Sequence, residues 1–441
     1  MEDESLLVTY EDVYNAFFPA IEIRDAGNFV GRKKELAEGI KSLQNKGSVL
    51  TIIGQRGVGK TSIACQIANI AAGDTSLLEK SGLQKCKPRK GFKYRVFKYE
   101  LDRSVTNIGD LLSFMLQGDC KENSLRLAAG LDKKLSKSSS KDEISAMLGV
   151  PKLFQLGGKG AGTKEYQHEK LESLSLEFRY ALKELTNYDE STASEARPIA
   201  IIIDEFDLVD DKDGFGSLLK ACASDKVKFV LVGVASSISE LMKDHASIAR
   251  KKEVLHIDRM VTSDLDGIIF NAERRLKDGL KFDQDVINGI VDNSDGFPYF
   301  AQLMGQNMAI NAIQSERNRV TSEDYDHFFQ TLKSNKLDSL YSDMYHEIVE
   351  AKEKRPPVVI AASLFLGETF STQEIRQTNP DFSEKMLRSV LNELTKPVAE
   401  YSPIMHRVRL DNYRFIDPLF KAYCRLYSVN RDSSMTYIDP P

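Results

Sequence analysis

Cysteine is scarce in this chain and unpatterned. The five present, Cys65, Cys86, Cys120, Cys222 and Cys424, form no C-x-x-C pair and have no histidine nearby at metal-ligand spacing. That argues against a disulfide framework or a thiolate metal site and for a reduced cytosolic setting. No apolar run reaches the roughly 18 to 20 residues needed to cross a bilayer. The N-terminus, MEDESLLVTYEDVYNAFF, is acidic and lacks the basic flank and apolar stretch of a signal peptide. A cytoplasmic, soluble protein is expected. Net charge is -5, so no chain-wide polycation points to nucleic acid, and any such surface must be local.

What the chain has is length and punctuation. At 441 residues it exceeds one domain on the usual scale of about 100 to 200 residues. Short apolar runs read as buried parallel strands: SVLTIIG ending at Gly54, FKYRVFKYEL (92 to 101), PIAIIID (198 to 204), KFVLVGVA (228 to 235) and EVLHID (253 to 258). Helical patterns separate them, so the first half is expected to be a parallel sheet wrapped by helices. A long insertion, about 105–175, lies between the second and third strands. Its centre is rich in Ser, Gly and Lys (133 to 143 and 156 to 165), which predicts mobile loops.

From 262 to 335 the pattern is helical, broken at DNSDGFPYF (292 to 300). After Arg355 three helices follow, two of them capped by Ser371 and Ser383. The runs VAEYSPI and HRVRLDNYRFID then predict a hairpin before a closing helix, the plan of a winged helix. The expected domains are an N-terminal segment (1–24), a P-loop domain (25–260), a helical lid (261–335), a winged helix (336–430) and a tail (431–441).

Two motifs carry chemistry. GQRGVGKTS, from Gly54 to Ser62, satisfies G-x-x-x-x-G-K-[ST] between a strand and a helix. Its glycines let the backbone of Gln55, Arg56, Gly57, Val58 and Gly59 curl its N–H groups toward phosphate oxygens, in conformations a Cβ would obstruct. Lys60 supplies charge to the outer phosphates and Thr61 a hydroxyl to Mg2+, with the helix N-terminus aimed at the anion. IIIDEFD places Asp204 and Glu205 where a buried strand meets solvent, the edge where ligands bind in parallel sheets. There Asp204 would hold Mg2+ and Glu205 would orient and deprotonate water.

With these motifs the sequence resembles the AAA+ and STAND P-loop ATPases, and among them prokaryotic ATPases related to archaeal origin-recognition proteins. Phe29-Val30-Gly31-Arg32 matches the F-x-G-R that opens the domain and often lines the adenine pocket. The resemblance spans roughly residues 25 to 335, extending through the winged helix to about 427. It implies ATP as the nucleotide, with Mg2+. It also implies a γ-phosphate sensor at Ser236 or Ser237, which equally read as caps of the next helix. Arg250 matches an arginine finger presented to a neighbouring subunit, or belongs with Lys251 and Lys252 to a solvated basic face. Where many relatives carry a lid arginine, this chain reads DGFPYFAQLMG, with Gly296 and Pro298, resembling the STAND G-x-P.

Partners expected on this basis are further copies of the chain through shared nucleotide sites, double-stranded DNA at the winged helix, and a protein at the 105–175 insertion, with no membrane. From Lys352 to Asn430 there are 12 basic and 9 acidic residues, a modest excess. Lys385, Arg388 and Lys396 lie on the third helix and His406, Arg407 and Arg409 on the hairpin. The leading function is a Mg-ATP-dependent switch or loader in a DNA-linked complex, leaning toward phage defence or mobile elements. The alternative is a nucleotide-gated scaffold with little turnover whose winged helix binds protein.

Overall fold

The computed structural model describes residues 8–131, 163–187, 197–234, 252–334, 340–365, 369–398 and 401–427. These fall into two compact units: Glu22–Gln55 with Gly59–Asp258, and Met1–Ile21 with Arg56–Val58 and Arg259–Pro441.

The elements used below are, in chain order, α1 (Tyr10–Ala16), α2 (Lys33–Gln44), β1 (Val49–Gly54), α3 (Lys60–Ala72), β2 (Arg95–Glu100), α4 (Ile108–Gln117) and α5 (Thr163–Thr186). Next come β3 (Ile199–Asp204), α6 (Phe215–Cys222), β4 (Val227–Val234) and β5 (Lys252–Ile257). The remainder are α7 (Thr262–Arg275), β6 (Lys281–Phe282), α8 (Gln284–Asn293), α9 (Pro298–Gln314), β7 (Arg319–Val320), α10 (Ser322–Lys333), α11 (Arg355–Ser363), β8 (Phe370–Ser371), α12 (Thr372–Thr378), α13 (Glu384–Leu394), β9 (Met405–Arg409), β10 (Asn412–Phe415) and α14 (Pro418–Leu426).

The apolar runs become strands because they can be buried on both faces. All six residues of β3 are buried, as are the first five of β1, which is the pattern of a parallel sheet covered on both sides. The five strands run in the order β2-β3-β4-β1-β5, and every pairing is parallel. Their carboxyl ends therefore share one edge. Gly54 stands beside Val234, and Glu100 beside Asp204.

On one sheet face, Phe97, Tyr99, Ile201, Ile203, Phe229 and Leu231 pack with Leu111, Leu112 and Met115 of α4 and Phe178 and Leu182 of α5. Both flanks of the expected insertion are thus core helices. Its serine- and glycine-rich centre lies outside the described residues.

The amino edge of the sheet holds an unusual charge. Lys228 is 3% exposed, and its ammonium bonds the Asn45 carbonyl and, at 3.3 Å, Ser48 Oγ. Burial lowers its pKa from 10.5 to about 8. Between those values the unfolded chain binds the extra proton, so this group adds stability as pH rises from about 8 toward 10.5. Wild-type protein is expected to gain roughly 2 kcal/mol on a Lys228→Met variant between pH 7.5 and 9.5, read from urea midpoints. Parallel pH profiles of the two proteins would refute this.

In the second unit, α7 to α10 form the helical stretch expected from 262 to 335. It is interrupted by one feature the sequence reading lacked, a two-residue parallel pairing of β6 with β7. The helix α1 packs on α7 and α9, with Phe17 against Phe282 at 6.0 Å.

The chain from 355 to 427 forms α11, α12 and α13 with a three-stranded sheet, order β8-β10-β9. Ser371 and Ser383 cap their helices as expected. The hairpin differs from expectation: its two long strands span Met405–Phe415, turning at Asp411 (φ 61). Among its described residues VAEYSPI makes a single bridge, Val398 to Tyr401. Pro397 precedes that run and Pro403 lies within it, and neither can donate to a ladder; β8 takes the third place in the sheet.

A buried ion pair ties this region together. Arg425, 1% exposed, donates from Nε and Nη2 to the Ser363 carbonyl at 2.9 and 2.6 Å, and its Nη1 lies 2.7 Å from Asp295 Oδ2. Arg259 holds the other oxygen of Asp295 at 2.5 Å. Removing Arg425 strips the buried Ser363 carbonyl of its donors and Asp295 Oδ2 of its ion-pair partner. Arg425→Ala is expected to cost about 3 kcal/mol, seen as a lower urea midpoint. An unchanged midpoint would show the pair contributes nothing.

Candidate active site

The phosphate-loop motif occupies the edge its spacing predicts. The strand β1 ends at Gly54, and α3 begins at Lys60 with Gly59 as its N-cap. Gly57 and Gly59 have φ of 80° and 95°, values that L side chains rarely adopt. At Gly59 a Cβ would meet nothing within 4 Å, so the requirement there is backbone conformation alone. Lys60 is buried, and its Nζ donates to the Gln55 carbonyl at 2.8 Å, which holds the ammonium over the loop. Val58, within the loop, is buried.

Asp204 ends β3 and is 2% exposed. Its Oδ1 accepts the Glu205 N–H at 2.9 Å, while its buried Oδ2 has no hydrogen-bond partner. Burial raises its pKa; the Glu205 N–H, the Thr61 hydroxyl and the Lys98 charge act in the opposite sense. Glu205 follows in the left-handed region (φ 57, ψ 31) with its side chain exposed, so the chain turns sharply and lifts this carboxylate clear of the strand. The turn is fixed from below. Phe206 is fully buried against Phe215 at 5.1 Å, and the N–H groups of Asp210 and Asp211 donate to the Thr106 carbonyl at 3.1 and 3.0 Å.

Other expected site residues have structural partners. The Ser62 hydroxyl accepts the Ile23 N–H at 3.0 Å, and Gln66 Nε2 donates to the carbonyls of Ile23 and Arg24 at 2.8 and 3.1 Å. Residues 22–24 thus strap along α3. Gly31 and Arg32 both have positive φ (68° and 57°). The Arg32 guanidinium is buried, bonding Glu35 at 2.9 Å and the Asp258 carbonyl at 2.7 Å, and Val30 is half-buried beside it. Pro298 is the first residue of α9, after the left-handed pair Asp295 (φ 49) and Gly296 (φ 75). Ser236, Ser237 and Arg250 lie outside the described residues.

The sequence reading missed two features of this edge. Lys98 on β2 lies 3.1 Å from Cys65 Sγ and 3.6 Å from Glu22, behind Asp204. Asp207 accepts the Val234 N–H at 2.8 Å. Neither contact has a spacing signature, because each joins residues distant in the chain. Among the described residues no cluster of three or more His, Cys, Asp or Glu forms a metal site, and no helix is long and apolar enough to cross a membrane.

No family model matches the chain, and no curated protein matches it. Solved structures do. Cdc6p from Pyrobaculum aerophilum is 13% identical with a TM-score of 0.41, over 94% of this chain and 98% of that one. The ORC2 protein of Aeropyrum pernix in its ADP form is 13% identical with a TM-score of 0.42, over 96% and 98%. The RuvB Holliday junction branch migration motor of Thermotoga maritima is 13% identical with a TM-score of 0.39, over 89% and 94%. The fold is an α/β one, a five-stranded parallel sheet flanked by helices and followed by a C-terminal helical region. Likenesses this loose add nothing about chemistry, which rests on the loop, the strand ends and the acid turn.

Proposed function

We propose that the chain is a Mg-ATP-dependent ATPase that acts as a nucleotide-controlled switch or loader in a DNA-linked complex. The observation that carries this reading is the convergence of three groups on the strand ends of one sheet. These are Lys60 and Thr61 at the head of α3, the unpartnered Oδ2 of Asp204, and the lifted carboxylate of Glu205.

The residues fit a Mg2+ ion: a buried carboxylate oxygen without a donor, beside a threonine hydroxyl, is a hard-oxygen donor set. Thr61 and Asp204 would hold it, and when bound it neutralises phosphate charge. Lys60 and the loop N–H groups bind the outer phosphates. Glu205 orients water toward the γ-phosphorus and takes its proton, giving ADP and phosphate. Val30, Gly31, Arg32 and Pro298 are proposed to border the nucleotide, Ser236 to sense its γ-phosphate, and Arg250 to reach a neighbouring copy's nucleotide.

The proposed DNA contact falls on the hairpin. His406, Arg407 and Arg409 of β9 are exposed, whereas Arg388 of α13 is engaged with Glu384 at 2.7 Å and Asp411 at 3.5 Å. The scaffold reading also has an observation in its favour: Leu410, 85% exposed, and Val408, 43%, put apolar surface at the hairpin turn, as a protein-docking element would.

Light scattering of wild type and Glu205→Gln, with ADP or ATP and then with duplex DNA, separates the two. ATP-dependent growth that DNA strengthens supports the first. One unchanging mass in every condition rejects it in favour of the scaffold.

A further inference from the structure

The strand β4 outruns its neighbour at the site. Its register with β3 ends at Ile203 beside Leu231, but β4 continues to Val234, paired on its other side with Gly54, the first residue of the phosphate loop. Past Leu231 the strand makes no further register pairing with β3, which itself ends one residue on at Asp204. There the carboxylate of Asp207 takes the strand's place: its Oδ1 accepts the Val234 N–H at 2.8 Å across 27 residues of sequence. Asp207 lies two residues beyond Glu205 in the same turn, whose Leu208 N–H returns to the Glu205 carbonyl at 2.9 Å.

From this we infer that Asp207 is a positioning residue for hydrolysis, a side-chain rung that splices the Glu205 turn to the end of β4 and, through the β4–β1 register, to the phosphate loop. The role rests on the ATPase reading above. The physical reason is reach. The ties to Thr106 and into the core set the depth of the turn, and the bond to Val234 runs across to β4, the neighbour of the phosphate-loop strand. Glu205 is exposed and begins the turn in a conformation non-glycine residues seldom hold. A general base displaced by about 1 Å loses on the order of 100-fold in rate while ground-state binding is untouched.

The bond needs an acceptor oxygen, not a charge, and this separates positioning from electrostatics. Asp207→Ala is expected to lower kcat about 10- to 100-fold with the Kd for Mg-ATP within about threefold of wild type. Asp207→Asn keeps an acceptor and should retain kcat within about threefold. Val234→Pro deletes the donor from the other side and should reproduce the alanine phenotype, so the test stands even where Asp207→Ala does not fold.

Hydrogen exchange at the Val234 amide should rise in Asp207→Ala and not in Asp207→Asn. Wild-type kcat in Asp207→Ala or in Val234→Pro would overturn the inference alone, as would an asparagine variant as slow as the alanine one. A wild-type protein that binds Mg-ATP without hydrolysing it would instead overturn the ATPase reading, and this role with it.

Discussion

Glu205→Gln is expected to reduce the rate constant for ATP hydrolysis by about 100-fold or more, the usual contribution of a positioned general base, with ATP affinity nearly unchanged. The side chain is exposed, and the left-handed turn it occupies is supported by the burial of Phe206 and the Thr106 contacts. Glutamine keeps the shape and a hydrogen-bond acceptor but not the basicity, so water is still oriented and its proton has no destination. The readouts are phosphate release under single-turnover conditions and retention of unhydrolysed ATP. A variant that turns over at the wild-type rate would remove Glu205 from the chemistry and leave a nucleotide-binding protein with another base or none.

The second large effect is on binding. Lys60→Ala should weaken Mg-ATP by about 10- to 100-fold or more, since a charge-assisted contact to phosphate is worth about 1.5–3 kcal/mol. The substitution also removes the 2.8 Å bond from Nζ to the Gln55 carbonyl that ties the loop to the head of its helix. Lys60→Met, which restores the buried stem without the ammonium, should bind no better. If methionine rescued affinity, packing of the 8%-exposed stem, not charge, would be what the position supplies.

The parts of this molecule that were legible in the sequence are those written in local spacing. The eight-residue span from Gly54 to Thr61 encodes a strand end, a loop and a helix start without reference to any other part of the chain. The run IAIIID encodes a strand buried on both faces because it is a short apolar stretch of strand length dominated by β-branched isoleucine. Helix caps at Ser371 and Ser383 were legible for the same reason, since cap and capped N–H are three residues apart.

What escaped depends on register. Ser62 belongs to the motif by spacing, yet its hydroxyl accepts from Ile23, 39 residues earlier. The expected hairpin is too broad because VAEYSPI alternates like a strand, while Pro397 before it and Pro403 within it cannot donate to a ladder. The pairing of β6 with β7 joins two-residue segments too short to register as periodic. Asp207 sits within the quoted acidic motif, but nothing local says its carboxylate completes a sheet. That follows only once β4 is seen to extend past β3.

Equilibrium titration of the wild-type chain and Lys60→Ala with ATP, with and without Mg2+, tests the central claim most directly. The account predicts one ATP per chain for the wild type, tightened by Mg2+ through Thr61 and Asp204, and binding weakened by about tenfold or more in the variant. Binding of equal strength in both proteins, or in neither, would contradict it, because the loop from Gly54 to Ser62 would then not be a phosphate site.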